Sequence, residues 1–232
     1  MKWANRAWML IMVAAAGVLL GGCAGSYQAR EVEVQKATLV NPSLLEKGSG
    51  EQALYRYVNP NAVIRNYDKV IIDPVLVTKD GELSSDELEN YQRLADNGYL
   101  YLTQELAKDY QIASTPEPGT MRVQMAIIDA DSSKPGRNIL SSVMPIGIGL
   151  NAVKYAATGK QSGVGEISGE MKVTDASSGE ILGAALDRRV GGKAPEGMVD
   201  RWYNADESLK YWAKRLSYVL CNMRAGSNCV SP

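Results

Sequence analysis

The stretch GIGLNA, Gly147 to Ala152, matches the G-x-G-x-x-A pattern in which glycines let a pyrophosphate approach the backbone at a helix amino terminus. Glu170 follows about 20 residues on, where a ribose-binding acid would stand. The surroundings do not complete such a site. Pro145 interrupts the strand that should precede it, and the chain reaches Thr158-Gly159-Lys160 within one short helix. The neighbouring GVGEISG has one residue too many before its last glycine, and ATGK lacks the first glycine and the Ser or Thr of a P-loop. Asp129 and Asp131 could offer oxygens to calcium. Two carboxylates before Ser132 and Ser133 fall short of the ligand set, and a polar loop leaving a strand accounts for them. No G-x-S-x-G occurs, and no serine stands three residues before a lysine. The chain also contains no histidine, which removes the commonest general base and the commonest metal ligand. An enzyme here would have to run on carboxylates, lysine or tyrosine. The expectation is a protein that is not an enzyme and that uses no cofactor and no metal.

Two features suit contact rather than catalysis. Arg188, Arg189 and Lys193 form a small basic cluster beside Asp187, read as a solvated strand end that could also meet lipid phosphate or an acidic partner. Ile139 to Gly159 is apolar, with Lys154 as its single charge and glycines at 147 and 149. It reads either as a buried crossover with a short helix or as an apolar flap meeting a partner or the bilayer. In the second reading Ile146 and Ile148 join Arg188 and Arg189 as candidate partner contacts.

The cysteines carry an address. Lys2 and Arg6 precede an unbroken apolar run of 14 residues, Ala7 to Leu20, too short for the roughly 20 residues of a membrane span. With Gly21 and Gly22 at its end, the layout is that of a secretory signal. Leu20-Gly21-Gly22-Cys23 resembles the lipobox of bacterial lipoprotein precursors, in which the cysteine is alkylated by diacylglycerol and becomes the acylated amino terminus. Two or more palmitate-type chains give stable anchoring, so Cys23 is the expected lipid attachment site. Ala24 stands where an aspartate would resemble an inner-membrane retention signal, so in a Gram-negative envelope the resemblance implies the periplasmic face of the outer membrane. Cys221 and Cys229 remain, and an oxidising compartment favours a disulfide between them. Closing that loop is worth about 2.5 kcal/mol on the chain-entropy model, provided the Cα atoms approach within about 7 Å.

Without residues 1–22 the chain keeps 23 basic and 26 acidic residues, a net charge of −3. No basic stripe is visible, which argues against nucleic acid. The remaining length suits one domain with a sizeable core.

The elements that must position these groups follow from patterning. Residues 23–60 are polar and punctuated by Asn41-Pro42, Gly48-Ser49-Gly50 and Asn59-Pro60. They read as a lipidated tether, with Leu54 to Val58 able to dock on the folded part. Lys69 to Val77 reads as a strand, at an edge or bulged at Pro74, which lacks an amide donor. Ser84 and Glu87 have capping-box spacing ahead of a helical stripe of Leu88, Tyr91, Ala95, Tyr99, Leu102 and Leu106. Gly98 within it suggests a close packing contact. Thr120 to Asp129 is a second strand, and Val164 to Thr174 and Glu180 to Val190 form a hairpin about DASSG. Asn204 and Glu207 repeat the capping spacing ahead of Leu209, Trp212, Ala213, Leu216 and Leu220 on a last helix. This order predicts an α+β, two-layer domain over residues 61–225, with a mixed or mostly antiparallel sheet, helices packed on one face, and a tail at 226–232.

YDKVIIDPV (Tyr67 to Val75), AIIDAD (Ala126 to Asp131) and TGKQSGVGEISGEMKVTDASSGEILGAALDRRVGGK (Thr158 to Lys193) resemble a family of bacterial lipoproteins known as domain of unknown function 3313. The likeness runs from about Val63 to Arg215 and implies an envelope lipoprotein without an assigned activity. The hairpin turn, D-x-x-x-G-E, is also similar to envelope proteins of the curli-secretion lipoprotein and TolB amino-terminal type. The expected function is therefore a lipid-anchored periplasmic lipoprotein with a binding or scaffolding role. It would touch the membrane through its acyl chains and an envelope protein as partner. Two alternatives differ in kind: an oligomeric secretion or transport accessory, and a carboxylate-dependent envelope enzyme.

Overall fold

The computed structural model describes residues 26–80, 83–128, 137–141, 166–191 and 201–232. In chain order these form β1 (Tyr27–Gln28), β2 (Glu46–Lys47), β3 (Tyr55–Val58), β4 (Lys69–Ile72), β5 (Leu76–Asp80) and α1 (Ser85–Leu106). Then come β6 (Gln111–Ile112), β7 (Thr120–Ile128), β8 (Arg137–Ser141), β9 (Glu166–Asp175), β10 (Ile181–Val190) and α2 (Arg201–Met223). Cys23, Asp129, Asp131, Ile146, Ile148 and the GIGLNA stretch lie outside the described residues.

The ten strands make one mixed sheet, ordered β2-β3-β10-β9-β7-β4-β6. β1 joins β10 further along the edge that β3 occupies, and β5 joins β7 beside β4 and carries β8. β4 and β5 run parallel to β7, the connection passing through α1, while β9 and β10 form an antiparallel hairpin. The hairpin turn is set by Asp175, whose Oδ1 accepts the backbone N–H groups of Ser177 (3.0 Å) and Ser178 (2.7 Å). Gly179 closes the turn at φ +77°, a region that side chains disfavour.

Pro74 splits the expected strand in two. From Ile72 to Leu76 the chain advances one residue more than its partner does from Val123 to Ala126, so Asp73–Val75 form a bulge on β7. Asp73 uses it to reach Arg122, at 3.1 Å.

Strand alternation then divides the residues between faces. Ile72, Val123 and Val173 stand in register on one face, and both helices pack there. α1 begins with the capping box, Ser84 Oγ accepting from Glu87 N and the Glu87 carboxylate from Ser84 N. It buries Tyr91, Leu94, Ala95, Leu102 and Leu106, each large side chain contributing about 1.5–3 kcal/mol. Leu88, expected in the stripe, is 45% exposed. The buried face turns toward Leu94, Asn97 and Gly98 because the helix must meet α2 as well as the sheet. At Gly98 a methyl group would rest at 3.5 Å from Val75 and 3.7 Å from Leu209, ordinary contact distances.

α2 buries Leu209, Trp212, Ala213 and Leu220 on the same face. Its helix already includes Arg201, so Asn204 is an interior residue rather than the expected cap, and Glu207 pairs with Lys210 at 2.6 Å. Trp212 packs against Gly169, where a Cβ would stand 2.5 Å from the ring. Cys221 and Cys229 are joined by a disulfide, with Cα atoms 5.6 Å apart, which ties the tail back to α2. The domain is α+β: a mixed sheet with its helices on one face.

Residues 26–60 differ from the expectation of a tether. They lie on the sheet, through β1, β2, β3 and a strap across the face opposite the helices. Their polar composition conceals this because the contacts are made largely by backbone groups.

Candidate binding groove

Two buried carboxylates position this amino-terminal arm. Glu170, on the face away from the helices, is fully buried. Its Oε2 accepts from Thr38 N (2.6 Å), Thr38 Oγ1 (3.2 Å) and Leu39 N (2.9 Å), and its Oε1 from Val40 N (3.0 Å). Three successive backbone N–H groups thus converge on one carboxylate, and Lys172 Nζ donates to Leu39 O at 3.0 Å from the same face. This acid is a clasp. It has no part in the ribose-binding role that its distance from GIGLNA suggested.

Asp187 is the second. It is buried on the helix face, where Trp212 Nε1 donates to it at 2.9 Å, Gln28 Nε2 at 2.6 Å and Leu54 N at 3.3 Å. It therefore joins α2, β1 and the start of β3. Arg189, two residues on and on the same face, is only 6% exposed. Its guanidinium lies 3.5 Å from the Tyr211 ring centroid and donates to the Ser26 hydroxyl at 2.9 Å and to the Ser26 carbonyl. Burial lowers its pKa, and Tyr211 and Asp187 oppose that shift. Arg189 is thus not the surface contact expected from the sequence. Strand alternation turns it toward α2, leaving Arg188 on the opposite face in an ion pair with Glu166 at 2.5 Å.

Between α2 and the β3–β10 edge the helix face is incompletely filled. Gly183 and Ala185 on β10 carry almost no side chain, so α2 bridges a trough instead of closing onto the sheet. The space, about 160 Å³, is walled by Val58, Met171, Leu216, Val219 and Met223. Val58 and Met223 are 38% and 36% exposed, so apolar surface continues to the mouth. Arg56 and Arg215 line the groove, with Glu51 beside Arg215 at 3.8 Å. Asp187 lies at its inner end with its acceptors engaged. An apolar trough edged by guanidinium groups can bind an amphiphile or an apolar side chain.

A further polar cluster joins the helices. Asp206 accepts from Asn97 Nδ2 (2.7 Å), from the Tyr101 hydroxyl (2.9 Å) and from Lys210 Nζ (3.0 Å). Burial and the Asp206 charge push the Tyr101 pKa well up. Lys210 is also raised: burial lowers it, but Glu207 and Asp206 outweigh that. Each of these groups has a partner, and the cluster serves as interhelical packing. Among the described residues no group of three or more His, Cys, Asp or Glu could hold a metal. No helix among them is long and apolar enough to cross a membrane.

The chain belongs to the family described as protein of unknown function DUF3313, whose model matches residues 35–216. That match begins within the strap and so includes residues 35–60 of the segment read from sequence as tether. No curated protein matches the chain. Among solved structures it is similar to the PelC dodecamer from Paraburkholderia phytofirmans, at 12% identity and TM-score 0.35, over 75% of this chain and 96% of that one. It is also similar to a DUF4136 family protein from Bacteroides thetaiotaomicron, at 16% identity and TM-score 0.37, over 73% and 95%. Likenesses at this level say nothing of what this chain binds or how it assembles.

Nothing in the sequence pattern marked the groove. Its walls come from five separated segments, and the one local signal, the small residues of Gly183-Ala184-Ala185, reads equally as a packed strand.

Proposed function

We propose that this protein is a non-catalytic envelope lipoprotein. Cys23 carries the acyl chains, the domain rests at the periplasmic face of the outer membrane, and the groove beneath α2 binds an apolar envelope component. The groove carries this reading: its lining suits binding, and its two guanidinium groups favour a negatively charged partner. The docked arm adds a geometric reason. Ser26 is held by Arg189, and Cys23 is three residues earlier, so the lipidated residue would lie within about 10 Å of the domain. The domain would therefore sit against the membrane, close to the components it serves.

The test places a photoreactive amino acid at Leu216 in the groove or at exposed Leu88, in cells making the full chain. Adducts at Leu216 but not at Leu88, lost with Cys23→Ala, are the expected result. Equal adducts at both positions, or robust substrate turnover by the purified protein, would overturn the proposal.

A further inference from the structure

We infer that the groove takes the hydrocarbon chain of a long-chain fatty acid, with the carboxylate held by Arg215 and Arg56. This deepens the binding reading above and rests on it. Gly183 and Ala185 form a floor without bulk, and Leu216, Val219 and Met223 of α2 face Val58 across it. The space of about 160 Å³ takes several methylenes of such a chain, and the apolar surface at Val58 and Met223 continues to the mouth for the rest.

Charge then selects the head group. Glu51 is the acid nearest Arg215, yet it stands 3.8 Å away, beyond hydrogen-bond range, with its side chain 83% exposed. Glu46 is opposite Arg56 in the β2–β3 register, yet among the described residues Arg56 forms no ion pair. Asp187, the remaining acid of the lining, already accepts from Trp212, Gln28 and Leu54. The two guanidinium groups thus keep donors for a carboxylate, and Arg matches that group as a planar fork. A neutral lipid would leave Arg56 without an ion partner and Arg215 with only the distant Glu51.

The experiment uses the full-length lipidated protein in phosphatidylcholine vesicles and a palmitic acid analogue bearing a mid-chain diazirine. After irradiation, labelled peptides are mapped by mass spectrometry, with palmitate or hexadecanol as competitor. Label should concentrate on residues 216–223 of α2 and on β10. Palmitate should displace it at about tenfold lower concentration than hexadecanol, equivalent to 1.4 kcal/mol for the charged head. In Arg56→Gln/Arg215→Gln that difference should vanish while the labelled peptides stay the same, which also shows the variant is folded. Ala185→Trp, which fills the floor, should abolish labelling and leave the circular dichroism spectrum unchanged. Equal displacement by palmitate and hexadecanol in the unaltered protein, or label spread over the surface, would overturn the inference. If the groove still yields a Cys23-dependent adduct in cells, only the fatty acid is excluded; if it yields none, the binding reading falls as well.

Discussion

Replacing Glu170 by glutamine tests whether one buried carboxylate holds the amino-terminal strap. The two side chains have nearly the same shape, so the change exchanges one acceptor for a donor and removes the charge. In the best orientation the glutamine oxygen replaces Oε2 and accepts from Thr38 and Leu39, but its NH₂ then faces the N–H of Val40. That leaves one buried donor unpaired, at about 1–3 kcal/mol. The three remaining bonds lose their charge assistance, together about another 1–2 kcal/mol. The expected destabilisation is therefore about 2–5 kcal/mol, a large share of a typical total of 5–15 kcal/mol. At roughly 2–4 °C per kcal/mol for a domain of this size, the melting temperature should fall by more than 4 °C. Urea unfolding gives the free energy, and trypsin gives the location. Lys36 precedes the clasped residues, so cleavage after it should accelerate before the domain as a whole unfolds. A variant within about 0.5 kcal/mol of the parent, with cleavage at Lys36 unchanged, would refute the view that this carboxylate fastens the strap.

Gly169→Ala should destabilise by about 1–3 kcal/mol and shift tryptophan fluorescence, since its Cβ would stand 2.5 Å from the Trp212 ring. Cys229→Ser should lose about 2.5 kcal/mol by the loop-closure argument, and the unaltered chain should show no free thiol at these two positions. On alkaline titration followed by phenolate absorbance, Tyr67 should remain protonated at pH 11. Burial and its hydrogen bond to Asp175 hold its pKa up at about 12, and Tyr67→Phe should remove one late-ionising group. A raised folded pKa contributes stability fully present below the unfolded value near 10 and lost as pH rises through the folded value. Stability measured by urea should therefore fall between about pH 10 and pH 12 less steeply in Tyr67→Phe.

What the sequence alone determined is what neighbours along the chain encode. The Ser84–Glu87 capping box, the α1 and α2 stripes, the Asp175–Gly179 turn and the Pro74 interruption each depend on spacing within a few residues, and each lies where its pattern places it. The α+β class follows from their order. Leu88 and Asn204 depart from their patterns because helix faces and helix starts answer to what packs against them. Only the tertiary structure decided the rest. Residues 26–60 lack apolar periodicity, and their docking comes from backbone N–H groups meeting Glu170 and from short strands completing the β10 edge. Arg189 looks like a surface charge until the sheet register turns it toward Tyr211. The groove exists because small side chains on β10 face a helix some 30 residues later, and no local pattern records which faces meet across that distance.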